Sequence, residues 1–352
     1  MRKSELKEIR RHLIKELKDY EGKPVKLDIP SKILEEILFD YTDDGYKKFA
    51  FELYDNYDLS CEIMTKVDFT GVSFKDFKCN EINFSKFTGI TLKPQEIHGH
   101  DLSGCTLNGV ILDVDNRGFE DVYIERTSFK GAKVKDGSLV TINPQLLSYR
   151  NMQYCVFDGV VFTGSFDGAS IEGSDFRGSI GALIDPQTIA GKDLSVVKFG
   201  GVKFINNFMG ANIERSDFTG SKGAIINPQT IANKSLFDVK LKDTYVIGEN
   251  MDGVILFGTD FTDADGDISI NPQNVSHKKL DYCKLFGVRI TGSIDGCSVA
   301  GTDFTGSIGA YITNFEGVTM NNDTNLASVI RVIEEEPNKQ KIKEMITKSV
   351  KG

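Results

Sequence analysis

Large apolar residues recur every five positions through most of this chain, and few folds accept that spacing. Leu241, Val246, Met251, Leu256 and Phe261 form one run, Ile184, Ile189, Leu194 and Phe199 another, and Leu92, Ile97, Leu102 and Leu107 a third. A helix buries one residue in about 3.6 and a half-buried strand every second residue, so neither produces a step of five. A chain that turns a corner every five residues does. Two positions before the large residue there is often a small or β-branched one, as in Cys155 before Phe157, Val160 before Phe162 and Ser174 before Phe176. Alternate residues of extended chain share a face, so both members of each pair point inward. Four such corners close a coil of about twenty residues.

A longer period lies over the short one. The segment SDFRGSIGALIDPQTIAGKDL begins at Ser174 and its near copy SDFTGSKGAIINPQTIANKSL at Ser216, 42 residues later. Pro-Gln pairs fall at Pro94, Pro144, Pro186, Pro228 and Pro272, with gaps of 50, 42, 42 and 44. Phe176 to Ile184 is a gap of eight, three more than one step, and Phe162 to Ile171 is nine, one less than two steps. Two coils therefore span 42 residues, with a three-residue excess in the Gly-rich GSIGA or GSKGA segment. The arithmetic predicts a small loop at one corner of every second coil, lengthened over Lys133 to Ser138. The copy ending at Ile312 and Thr313 carries Phe315 near the expected Pro and reads as a degenerate terminal repeat.

VDFTGVSF, ANIERSDFTG and DLSGCTLNGV resemble the pentapeptide repeat family, over roughly Leu59 to Ile312. The resemblance implies an all-β solenoid, a right-handed parallel β-helix of quadrilateral coils. The regular three-residue insertions and the Pro-Gln pairs depart from the plain family pattern.

The ends differ from the middle. Leu6, Ile9, Leu13, Leu17 and Tyr20 fall on one face of a helix over residues 2–20, and Ser31 is placed to cap a second helix, SKILEEILF. Thr324 or Asn325 is placed to cap a helix running to Ile333, and Pro337 to start a last one bearing Ile342, Met345 and Ile346. The expected division is a mainly helical N-terminal cap at 1–56, the β-helix at 57–322 and C-terminal helices at 323–352, with small α-helical caps at both ends of the solenoid. Caps cover the open backbone and core at a solenoid's ends. The C-terminal helix has a second reading, as a homodimer contact.

The net charge of −9 is concentrated. Residues 1–56 and 323–352 nearly balance, whereas residues 57–322 hold 24 Lys and Arg against 33 Asp and Glu. Such a surface has no non-specific attraction for nucleic acid or anionic lipid. No apolar run is long enough to span a membrane, the charged N-terminus does not read as a secretory signal, and the six Cys show no paired spacing. The expectation is a cytoplasmic chain without membrane or direct nucleic-acid partners.

Of the residues that could carry chemistry, most have a structural reading. Cys105, Cys155, Cys283 and Cys297 take the small inward position, and Cys61 and Cys79 fall near coil positions. The Gly-Ser-x-Gly-Ala loops lack the Lys-Ser/Thr of a P-loop and open no helix. His98 and His100 would share one side of a strand but have no further ligand nearby. Pro locks φ at a corner, and Gln145, Gln187, Gln229 and Gln273 could bond loop backbone or line a groove. No catalytic, cofactor-binding or metal-binding residue is expected. What remains is an acidic column, Asp175, Asp217, Asp260 and Asp303, each one residue before an inward Phe. Two coils rise about 10 Å, against one DNA charge per about 1.7 Å, so the column alone is too sparse to copy a duplex. The expected function is a non-enzymatic interaction scaffold with an unidentified protein partner. The resemblance adds an alternative, a DNA-mimicking modulator of DNA gyrase, and the β-helix itself a remote one, a carbohydrate-active enzyme.

Overall fold

The computed structural model describes residues 1–50, 64–247 and 250–331. The chain divides into two compact units, Met1–Ile205 with Gly220–Lys222, and Asn206–Thr219 with Gly223 onward.

The first unit opens with helix α1 (Lys3–Lys18), helix α2 (Ser31–Leu38) and an antiparallel hairpin of β1 (Phe39–Tyr41) and β2 (Lys47–Phe49). α2 begins after Pro30, not with Ser31 as its cap; Pro holds φ at a value compatible with the helix that follows while its ψ of 132° is still extended. Arg10 anchors α1. Its guanidinium donates to the carbonyls of Glu36, Ile37 and Phe39 at 2.8–3.0 Å and pairs with Asp40 at 2.9 Å, satisfying the C-terminal end of α2. The hairpin lies on the first described coil. Phe39 and Phe49 pack against Phe74 and Phe77, with ring centroids 4.8–6.5 Å apart. Lys47 N–H donates to Asp76 O and Lys78 N–H to Lys47 O, so the hairpin also occupies backbone groups that the coil would otherwise leave open.

Beyond this, the first unit is a parallel β-solenoid. Thr91 pairs with Ile111, Thr141 with Val161 and Leu183 with Lys203, each a register of 20 residues. The second unit repeats the arrangement: Ala224–Ile226 pairs with Thr244–Val246, and Ser269–Ile270 with Arg289–Ile290. The expected loops are present in both. In the first unit Phe162 N–H donates to Ile180 O at 2.8 Å, while Leu183–Ile184 pair with the next coil. In the second, Ile290 N–H donates to Ile308 O at 2.7 Å and Tyr311–Ile312 pair onward. The inserted residues let one corner finish a coil and begin another. The longer loop folds as a small hairpin, with Val134 N–H on Ser138 O at 3.0 Å.

The inward pairs are buried as the five-residue step requires. Phe129, Phe157, Phe176 and Phe199 in the first unit, and Phe218, Phe261 and Phe304 in the second, are at most 1% exposed. Where the small residue two before the large one is Thr or Cys, it has a role beyond size. Thr127 donates to Leu102 O at 2.7 Å, Cys155 to Ile124 O at 2.8 Å, Thr259 to Leu236 O at 2.7 Å and Cys283 to Leu256 O at 2.7 Å. A short polar side chain here satisfies a corner carbonyl inside the core.

The C-terminal expectation needs correction. No helix starts at Thr324 or Asn325; the solenoid runs on for another turn. Asn325 bridges Asp303, its Oδ1 accepts from Ala327 N–H at 3.0 Å, and Ile330–Arg331 pair with Tyr311–Ile312. Asn325 and Ile330 keep the five-residue step, so Asn forms a corner turn instead of a helix cap. The helix expected from Pro337, and with it the expected dimer contact, lies outside the described residues, as do Leu59 and Cys61.

Candidate interaction surfaces

The aspartates stand on outward columns. Each turns its own corner: Asp175 accepts from Arg177 N–H, Asp217 from Thr219, Asp260 from Thr262 and Asp303 from Thr305, at 2.9–3.1 Å. They alternate with cations. In the first unit Asp175 pairs with Arg177 at 2.6 Å and Lys198 at 3.4 Å. In the second, Asp217 pairs with Lys240 at 3.0 Å and Asp260 with Lys284 at 2.8 Å. Burial opposes the charge on Asp175, Asp217 and Asp260, but hydrogen bonds and these cations outweigh it and hold their pKa values below the usual carboxylate range. The lysines were not singled out by the sequence reading. Their signal was present, since Lys198, Lys240 and Lys284 each lie 23 or 24 residues after an Asp of the column.

The Pro-Gln pairs are cross-coil fasteners. Asn143, Asp185, Asn227 and Asn271 accept from the N–H of the Gln two residues on, at 2.8–3.1 Å, and the intervening Pro is buried. The motif is thus Asx-Pro-Gln, a closed corner turn. Gln145 Nε2 then donates to Ser165 O and Asp167 O, Gln229 to Asn250 O and Asp252 O, and Gln273 to Ser293 O and Asp295 O, all at 2.8–3.1 Å. These amides tie one coil to the next of the same unit and do not line a groove as free donors. Lys192 Nζ donates to Gln187 Oε1 at 2.9 Å.

His98 and His100 do not lie on a strand. Gly99 and His100 have φ of +63° and +50°, a left-handed corner, and His98 packs on Tyr46 at 4.8 Å. Cys79, Cys105, Cys155, Cys283 and Cys297 are buried free thiols. Burial pushes Cys105 and Cys155 up to about 12 and Cys297 up to about 11, so none holds a thiolate at neutral pH. Among the described residues no group of three or more His, Cys, Asp or Glu could hold a metal ion, and no helix is long and apolar enough to cross a membrane.

The inserted loops expose apolar side chains. Ile180 and Leu183 in the first unit, and Ile225, Tyr245, Ile308 and Ile330 in the second, point outward from the strand face beside the loops. Ile225 and Tyr245 are direct neighbours in the parallel ladder. Sequence reasoning treated the loops as a row and did not single out these side chains, although each follows from the alternation of inward and outward positions. At another corner of the second unit Phe237 stacks on Phe257 at 5.3 Å and 14°, and Phe257 meets Tyr282 at 5.3 Å. Arg215 closes the row over Phe237 at 5.2 Å. These rings cover one another's faces and serve the coil.

No family model and no curated protein matches the chain. Solved structures similar to the chain include two pentapeptide-type proteins. One is HetL, a pentapeptide repeat protein involved in heterocyst differentiation regulation from the cyanobacterium Nostoc sp. strain PCC 7120, at 13% identity over 72% of this chain and 91% of that one, with a TM-score of 0.21. The other is QnrB1, a plasmid-mediated fluoroquinolone resistance protein, at 12% identity over 71% of this chain and 88% of that one, with a TM-score of 0.15. The fold of this chain follows from its own hydrogen bonds. Its 20-residue register, its five-residue corners and its paired small and large inward residues make this chain a β-solenoid of the pentapeptide-repeat type.

Proposed function

We propose that the protein is a non-enzymatic scaffold that binds another protein through the outer faces of its coils. The observation that supports this is that each unit has an outward strand face beside its inserted loops. Ile180 and Leu183 in the first unit, and Ile225, Tyr245, Ile308 and Ile330 in the second, are exposed on backbone held by cross-coil hydrogen bonds. Fixed apolar side chains on a solvent-facing sheet lose little conformational entropy on binding, which favours association. The column aspartates and Gln145, Gln229 and Gln273 are engaged in corner turns, carbonyl contacts and ion pairs.

Affinity capture on the full chain under native conditions, followed by reconstitution with the purified candidate, tests the reading. The expected result is a stoichiometric complex with one protein. A catalytic turnover that survives purification and disappears with a single point mutation would falsify it.

A further inference from the structure

The repeats of this chain show what each corner requires, because the same corner recurs with different residues. Every second coil turns one corner through two consecutive left-handed residues: Gly99–His100, Tyr149–Arg150, Gly191–Lys192, Asn233–Lys234 and His277–Lys278, all with φ between +49° and +63°. Gly, Asn and His accept this conformation readily, and Tyr does not. Tyr149 is nevertheless 83% exposed, so burial does not offset its strain. Its ring leans on that of Tyr123, at 5.7 Å.

A neighbouring corner departs in the same way. Gly168, Gly210, Gly253 and Gly296 hold φ between +67° and +73°, whereas in the coils before them the position is Asp76, at +58° with its N–H on Glu96 O, and Asp121, at +56°. The hydrogen bonds establish the equivalence. Gly168 N–H donates to Thr188 O, Gly210 to Thr230 O and Gly253 to Asn274 O, each at 2.8 Å, and Asp121 N–H donates to Leu146 O at 2.8 Å. The acceptor residue is polar in those three cases. Here it is Leu146, 45% exposed.

A carboxylate in place of Gly, a Leu in place of Thr or Asn and a Tyr in place of Gly, Asn or His thus meet at one spot. All three line a groove of about 510 Å³, together with Glu120 and Arg150. The Tyr costs backbone strain and the Leu exposed apolar surface, and strain or an apolar patch kept at the surface points to function. We propose that this groove docks a peptide segment of a protein partner carrying an aliphatic or aromatic side chain next to a Lys or Arg. The apolar side chain rests on Leu146 and Tyr149. The cation meets the carboxylates of Asp121 and Glu120, while the Arg150 guanidinium is turned to Asp167 O at 3.2 Å. The partner is cationic because residues 57–322 carry 33 acidic against 24 basic side chains, and a second copy would bring the same excess. The proposal rests on the scaffold reading and adds a place and a ligand chemistry to it.

The test uses a variant built from residues the chain already places at equivalent corners: Asp121→Gly, Leu146→Thr and Tyr149→Asn together. Full-length wild type is panned against a random-peptide phage library, and an enriched synthetic peptide is titrated against both proteins by fluorescence anisotropy. We expect enriched sequences pairing an apolar side chain with Lys or Arg, an affinity loss of about tenfold or more in the variant, and a melting temperature equal to or above wild type. No enrichment, or equal binding to both proteins, sinks the groove. Equal binding leaves the scaffold reading standing, because the peptides then sit on another face. A variant melting several degrees lower would show that the three residues serve the fold. Self-association of the wild type, lost in the variant, would make a second copy the occupant and overturn the peptide assignment.

Discussion

Asp295 shows how much one side chain does in a solenoid corner. Partial burial opposes its charge, but the hydroxyls of Ser293 and Thr313 and the N–H groups of Asn314 and Thr313 outweigh it, and its pKa falls to about 2. The bonds reach 18 and 19 residues ahead, fastening one coil to the next. A carboxyl depressed in the folded state stabilises fully above its unfolded pKa, near 3.8, and loses that contribution as pH falls toward about 2. Asp295→Asn should therefore lower the melting temperature at pH 7 and flatten its decline between pH 4 and pH 2. Thermal melts across that range measure both effects. An unchanged slope would mean that the carboxylate is equally stabilised in the unfolded chain.

At the scale of the element, the inserted loop depends on a glycine that the step of five does not explain. Gly181 has φ +77°, and a Cβ there would lie 2.9 Å from Phe162 O. Gly309 repeats this in the second unit, 2.8 Å from Ile290 O. Gly181→Ala should cost about 2 kcal/mol, through left-handed strain and the contact with a backbone that cannot retreat. Two residues earlier the loop holds an opposite opportunity. Ser179, Ser221 and Ser307 are buried at equivalent positions with hydroxyls that lack a protein partner. Ser179→Ala should leave stability unchanged or raise it, since removing an unsatisfied buried hydroxyl relieves a desolvation cost of about 1–3 kcal/mol. Urea denaturation of the two variants separates these opposite signs. The position of the loop was legible in the sequence, because Phe176 to Ile184 is three residues too long. The need for Gly181 was not, because it comes from a carbonyl of the preceding coil. Asn325 was assigned to a helix cap on residue preference, whereas it keeps the five-residue step and bridges Asp303. Cys155 looked merely small, and its bond to Ile124 O appears only once neighbouring coils are stacked.

For the molecule as a whole, the question is where the charge of −9 acts. The sequence placed the acidic excess on the coils, and four aspartates made it look like a column. The lysine partners of Asp175, Asp217 and Asp260 come from the following coil, more than twenty residues away, so these cations were easy to overlook. Exposed pairs of this kind contribute about 0–1 kcal/mol each, so they are not there chiefly for stability. They do remove the local excess of negative charge that a duplex presents at every phosphate. The two functional readings can therefore be separated with lysines. If the chain acts as a polyanion mimic on gyrase, Lys240→Glu with Lys284→Glu should strengthen inhibition of supercoiling, because the Asp217 and Asp260 column then loses its cations. Reversing Asp217, Asp260 and Asp303 should abolish it. If the chain is a scaffold that reads a cationic peptide at Asp121, Leu146 and Tyr149, neither set should change supercoiling, and peptide affinity should respond only to the groove substitutions. A supercoiling assay at fixed low salt, with all variants at equal folded concentration, decides between these outcomes, since screening at higher salt would mask the effect of exposed charges.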